Sequence, residues 1–107
     1  MTELSKEHCA DGAQALPEPE AAALTSEVPN WTLEANTLTR AFEFANFRDA
    51  FGFVARAALV AEREFHHPDI ELGWGRAAFT LTTHSAGGLT RNDFVMAAKL
   101  DALEGSG

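Results

Sequence analysis

The chain is short of cysteine, of positive charge and of long apolar runs, and each shortage excludes something. It holds one cysteine, Cys9, so no internal disulfide can form, and a single thiolate cannot build a zinc site alone. Cys9 reads as an exposed bystander. Lysine and arginine number eight against sixteen acidic residues, for a net charge of −8. Those eight are scattered, whereas a grip on a phosphate backbone needs them clustered. Direct nucleic-acid binding is therefore not expected, and the acidic surface mainly serves solubility. No apolar stretch approaches the ~20 residues of a membrane helix. Met1-Thr2-Glu3-Leu4-Ser5-Lys6-Glu7 lacks the charged-then-apolar pattern of a signal peptide, so a cytoplasmic location is expected.

What is present suffices for one small domain. Of the 107 residues, 46% are hydrophobic, with eight phenylalanines and two tryptophans, enough for a packed but marginal core. Residues 1–16 are small and polar and read as a flexible N-terminal arm. Residues 17–104 read as the single domain. Pro17-Glu18-Pro19-Glu20 opens a short helix over 20–28, with Ala21, Leu24 and Val28 on one side. Alternation over 31–34 and 38–44 around the Ala35-Asn36-Thr37 turn predicts an antiparallel hairpin. Asn46, with Asp49 three residues on, caps a long helix to about residue 65.

That helix carries two apolar lines. Phe47, Ala50, Phe51, Val54, Ala58 and Ala61 read as the core face. Phe53, Ala57 and Val60 read as a second stripe, either a wider core face or a surface for a partner such as another copy of the chain. A second hairpin follows, over 71–74 and 77–83 around Gly75-Arg76. His84 ends its last strand, Ser85-Ala86-Gly87-Gly88 forms a loop, and Thr90 with Asp93 caps a last helix. Glu104-Gly105-Ser106-Gly107 reads as a frayed end. The order is α-β-β-α-β-β-α, an α+β fold with a four-stranded antiparallel sheet and three helices on one face.

The candidate chemistry lies in Glu62-Arg63-Glu64-Phe65-His66-His67-Pro68 and in Thr83-His84. Glu62 and His66 are four apart, so they share a helix face, where a carboxylate can orient an imidazole and favour its charged form. Pro68 forces His67 out of helical geometry. His84 adds a third titratable group. Two or three such groups around one pocket can give and take protons without a metal. Adjacent histidines seldom chelate one ion, and no H-E-x-x-H spacing occurs, so no metal site is expected. Asp93 reads as a helix cap rather than a catalyst. Trp31 and Trp74 read as core or rim residues, either of which could stack on a flat ring.

Glu62-x-x-x-His66-His67-Pro68-Asp69, Thr80-x-x-Thr83-His84 and Gly88-Leu89-Thr90-x-x-Asp93 together resemble the pterin-4a-carbinolamine dehydratase family. Trp31 and Arg40-x-Phe42-x-Phe44-x-x-Phe47 fit the same pattern. The resemblance spans residues 28–103, and the polar arm is similar to that of bacterial members associated with phenylalanine hydroxylase. It implies a dimer with sheets joined edge to edge, or a tetramer built through the long helix. The implied reaction removes water from 4a-hydroxytetrahydropterin to give quinonoid dihydropterin, so that tetrahydrobiopterin is recycled for an aromatic amino acid hydroxylase, a possible partner. The pterin is substrate, and no cofactor is implied.

By resemblance His66 and His84 lead as acid and base, His67 assists or binds, Glu62 orients, and Pro68, Thr83, Ser85 and Ala86 line the pterin site. Phe65 departs from the small polar residue frequent in the family at that position, which bears on substrate preference. The alternative implied function is a non-catalytic binding module, a dimerisation or assembly cofactor of a transcription factor or enzyme.

Overall fold

A computed structural model describes residues 4–105. Helix α1 covers Glu18–Leu24 and runs into a 3-10 turn at Thr25–Glu27. Strands β1 (Thr32–Glu34) and β2 (Thr37–Glu43) precede helix α2 (Phe47–Glu64). Strands β3 (Asp69–Gly73) and β4 (Arg76–Leu81) precede a 3-10 turn at His84–Ala86 and helix α3 (Arg91–Gly105). The expected element order and α+β class are what the structure has. The four strands form one antiparallel sheet in the order β1-β2-β4-β3, with each hairpin closed on itself and β2 joined to β4 through the middle.

The register explains the core. Leu38 pairs with Leu81 and Phe42 with Ala77. Alternation carries these side chains, with that of Phe79, to one face of the sheet. All five are buried, with Val28 and Trp31 beside them. The other face bears Thr39, Ala41, Ala78 and Thr80 and lines an open groove of about 560 Å³.

The turn between β3 and β4 is Trp74-Gly75, one residue earlier than expected. Gly75 has φ 71, and a Cβ there would stand 3.0 Å from the Phe44 carbonyl oxygen. Only glycine takes both constraints cheaply.

The long helix is rotated from the expected core face, of which only Ala50 and Ala61 are buried. Ala50, Phe53, Ala57, Val60, Ala61 and Glu64 are its buried residues, whereas Phe47, Phe51 and Leu59 are 47%, 55% and 68% exposed. Of the two readings of the second stripe, Phe53, Ala57 and Val60, the core face is the one that the structure has. The physical reason is the aromatic cluster on the sheet. The Phe53 ring lies 4.7 Å from that of Phe42, tilted, and 5.8 Å from that of Phe79, edge-on. Burial of one phenylalanine contributes about 1.5–3 kcal/mol, and aromatic pairing adds to it. Inserting Phe53 between the hairpins gains more than presenting Phe51 to them, since Phe53 meets the rings of Phe42, Phe44 and Phe79 at once.

Helix α3 is apolar on nearly every side, and Phe94, Val95, Met96, Ala97, Ala98 and Leu100 are all at most 2% exposed. Asp101 ties it to the sheet: its Oδ1 accepts from the Trp31 indole N–H at 2.8 Å and from Arg40 Nη1 at 2.6 Å. Burial pushes the Asp101 pKa up, and these two donors only partly offset that.

The rest of the cover on α3 comes from the N-terminal segment. Leu4 is 3% exposed within the core, and Lys99 Nζ donates to the Ser5 carbonyl at 2.9 Å. Arg91 and Glu7 form a two-pronged pair. Residues 4–16, expected as a flexible arm, lie in contact with α2 and α3 over much of their length, ending where the Leu16 N–H donates to the Leu89 carbonyl. Residues 106 and 107 of the expected frayed end lie outside the described residues, and Gly105 belongs to α3.

Candidate active site

The site grows from the C-terminus of α2. The helix stops because Phe65 adopts the left-handed conformation (φ 55, ψ 37), and the His66 N–H then closes back on the Ala61 carbonyl at 3.2 Å. This six-to-one closure ends many helices. It turns His66 away from the helix direction, so Glu62 and His66 do not share a face. Glu62 Oε2 instead meets His67 Nε2 at 2.6 Å, on the exposed side. The expectation that Glu62 orients His66 is replaced by a Glu62–His67 pair.

The carboxylate that holds His66 belongs to Asp93. His66 Nε2 lies 2.5 Å from Asp93 Oδ1. An ionised carboxylate can only accept, so Nε2 carries the hydrogen. Nδ1 has no protein partner among the described residues and is the nitrogen left to exchange a proton.

Asp93 is fully buried, and its other oxygen accepts from the Thr83 hydroxyl at 2.8 Å and the Thr90 N–H at 2.9 Å. Because Thr83 spends its hydrogen on Asp93, the 3.0 Å contact between the two threonine hydroxyls must have Thr90 as donor. Thr90 in turn accepts from the Asn92 N–H at 3.2 Å. Asp93 is thus the helix cap that the sequence suggested, through its bond to Thr90, and also the partner of His66. Thr83 reaches it because a bridge between Thr83 and Gly88 folds the chain back after β4.

His66 opens onto a cleft of about 820 Å³, within the roughly 300–1,000 Å³ usual for small-molecule sites. Of the residues singled out from sequence, His66, Thr83 and Ser85 line it, and Phe65 stands at its edge. His84 is exposed, between Thr83 and Ser85 at the start of the 3-10 turn. His84, His67, Glu62, Pro68 and Ala86 are not among the lining residues. Phe65 is 87% exposed. Its left-handed backbone is one that asparagine and glycine take cheaply and phenylalanine does not. A small polar residue suits this position for backbone reasons, whether or not it touches a ligand.

Sequence reasoning missed the opposite wall, which is built by residues 8–13 of the arm together with Glu64 and Asn92. Glu64 lies on the inward stripe of α2, where a carboxylate needs donors. Cys9 N–H supplies one at 2.8 Å and His8 Nδ1 another at 2.9 Å, with Lys99 Nζ at 3.7 Å. The Asn92 side chain accepts from the Ala10 N–H at 2.9 Å and donates to its carbonyl at 2.8 Å. Cys9 is half-buried rather than an exposed bystander. Burial, then the charge of Glu64, pushes its thiol up to about 12, so it is a poor nucleophile at neutral pH.

A family model for pterin 4 alpha carbinolamine dehydratase matches residues 14–103. The chain belongs to that family. Dehydratase-family relatives cover nearly its whole length. A protein of Paracoccus denitrificans, provisionally named pterin-4-alpha-carbinolamine dehydratase, is 45% identical over 98% of this chain and 100% of its own. One of Rubrobacter xylanophilus with the same provisional name is 44% identical over 96% and 100%. Among solved structures, a Brucella melitensis protein titled transcriptional coactivator/pterin dehydratase has a TM-score of 0.80 and 38% identity, covering 84% of this chain and 98% of that one. A pterin dehydratase-like protein described as a RuBisCO assembly factor of the alpha-carboxysome has a TM-score of 0.59 and 26% identity over 72% and 89%.

The arm wall has an acid dependence that can be measured. Burial acts to raise the Glu64 pKa, but the Cys9 N–H, His8 and Lys99 outweigh it, and the net shift is downward. A lowered folded-state value gives stabilisation that is complete above the ordinary carboxylate range and is lost as pH falls through the lowered value. The Cys9 amide is therefore expected to be protected from hydrogen exchange at neutral pH and to lose protection only as pH falls below the ordinary carboxylate range. In Glu64→Gln the acid-dependent part of that loss is expected to disappear. Protection that stays level on acidification of the wild type would contradict the role given to Glu64.

Proposed function

We propose that the protein dehydrates 4a-hydroxytetrahydropterin to quinonoid dihydropterin by histidine acid/base catalysis. The observation that carries this reading is the buried Asp93–His66 pair facing the cleft, in a chain of the dehydratase family. The reaction breaks the C4a–O bond. The leaving hydroxyl takes a proton and departs as water, while N5 gives up its hydrogen and forms the double bond to C4a. Two proton positions are needed and no electron leaves the substrate, so the histidines suffice and the pterin is substrate rather than cofactor. His66, fixed by Asp93 with Nδ1 free, supplies one position. His84, on the adjacent turn, supplies the other. His67, held by Glu62, assists, and Pro68, Thr83, Ser85 and Ala86 bound the ring. In this role the enzyme recycles tetrahydrobiopterin in the cytoplasm for an aromatic amino acid hydroxylase, in phenylalanine metabolism.

In a stopped-flow absorbance assay the protein is expected to speed loss of the carbinolamine over buffer. His66→Ala and His84→Ala are each expected to slow it ~10²-fold or more, and Asp93→Asn to slow it with them. Wild-type rates equal to buffer would contradict the proposal.

The exposed line Phe47, Phe51 and Leu59 on α2 favours a second reading beside the first, a protein-binding face, first for another copy of this chain in a homodimer or homotetramer. The coactivator and assembly-factor titles of the two related structures lend it support. The informative variant is Phe51→Glu; a substitution at Val60 would disrupt the core. Sedimentation is expected to show a smaller species for Phe51→Glu, with dehydratase activity kept. An unchanged assembly would remove this face from the interface.

A further inference from the structure

The arm wall lies outside the stretch that the family model matches, although the Paracoccus and Rubrobacter relatives align through it. The family match begins at residue 14, yet His8, Cys9, Ala10, Asp11, Gly12 and Ala13 all line the cleft beside His66. They are tied to the same two elements that carry His66 and Asp93. Glu64, two residues before His66, holds His8 and Cys9, and Asn92, next to Asp93, holds Ala10 from both sides. Glu64 is 7% exposed. Such a carboxylate makes a costly interior residue unless its donors stay in place, so the clamp is built in rather than incidental.

We propose that residues 8–13 form a specificity wall that reads the substituent at C6 of the pterin, with His8 as the contacting residue and Glu64 as its positioning residue. The inference rests on the dehydratase reading. The bicyclic ring and its 4a-hydroxyl are common to every substrate of that reaction, and the stretch that carries His66 and Asp93 is the one that the family model matches. Relatives align with the arm in some cases and not in others, and a wall that varies in this way can distinguish substrates only through what varies between them, which is the C6 side chain. The wall is polar. His8 Nδ1 is taken by Glu64, its Nε2 has no protein partner among the described residues, and Asp11 adds a carboxylate. Such a surface suits a hydroxylated side chain over a methyl group, because the hydroxyls can pair with it and a methyl group leaves it unpaired.

The experiment compares carbinolamines bearing a dihydroxypropyl or a methyl group at C6, in the full-length protein. His8→Ala is expected to raise KM for the dihydroxypropyl substrate about three- to tenfold, the scale of one hydrogen bond, and much more than for the methyl substrate, with kcat moving far less than KM. Glu64→Gln is expected to shift the KM ratio in the same direction. The His8 side chain is 78% exposed, so His8→Ala keeps the test alive if Glu64→Gln fails to fold.

Calorimetric binding of the corresponding stable dihydropterins runs in parallel. Preference for the hydroxylated pterin that His8→Ala abolishes supports the wall even if no dehydration is seen. Dehydration with both substrates treated alike by wild type and His8→Ala overturns the wall and leaves the dehydratase standing. Neither binding nor dehydration overturns both.

Discussion

The structure depends on how a fully buried carboxylate is kept supplied with donors. Asp93 lies at the first turn of α3 with no access to water, and a charge so placed is tolerated only when hydrogen bonds surround it. Three donors reach it from three places: the Thr90 N–H from its own cap, the Thr83 hydroxyl from the chain after β4, and His66 from the end of α2. Each donor fixes a different element, so meeting the need of one charge also brings together the parts of the site. The hydroxyl chain from Asn92 through Thr90 to Thr83 runs in one direction only, which leaves Asp93 as acceptor and His66 with its hydrogen on Nε2.

Glu64 repeats the arrangement one turn from His66. It is buried for a different reason, since the inward stripe of α2 is set by Phe53 between the two hairpins. Two of its donors, His8 and Cys9, come from outside the α+β core, with Lys99 of α3 behind them. Asp93 fixes the His66 side of the cleft and Glu64 fixes the side facing it. The arm also completes the apolar cover of α3 through Leu4, so closure of the core and closure of the cleft are linked.

Much of this was legible in the sequence, for reasons that can be traced. Strand alternation identified Leu38, Phe42, Phe79 and Leu81, and the Asn46 and Thr90 caps marked the starts of α2 and α3. The rotation of α2 was not legible, because Phe47–Phe51 and Phe53–Val60 repeat with the same helical period and only the rings on the sheet choose between them. Spacing also paired Glu62 with His66, on the assumption that the helix continued. The left-handed turn at Phe65 broke that assumption, and a phenylalanine gives no signal for it. Asp93 was seen only as a cap, since its distance in sequence from His66 conceals the pair. The arm wall lacked any local signal; its sign was Glu64, an acid on the apolar stripe.

The central claim is that Asp93 holds His66 with the hydrogen on Nε2 and leaves Nδ1 to exchange protons. Nitrogen-15 NMR of the ring nitrogens tests it directly, because protonated and unprotonated imidazole nitrogens have well-separated shifts. In the neutral form His66 is predicted to show a protonated Nε2 and a bare Nδ1. A neutral His66 carrying its hydrogen on Nδ1 would contradict the account.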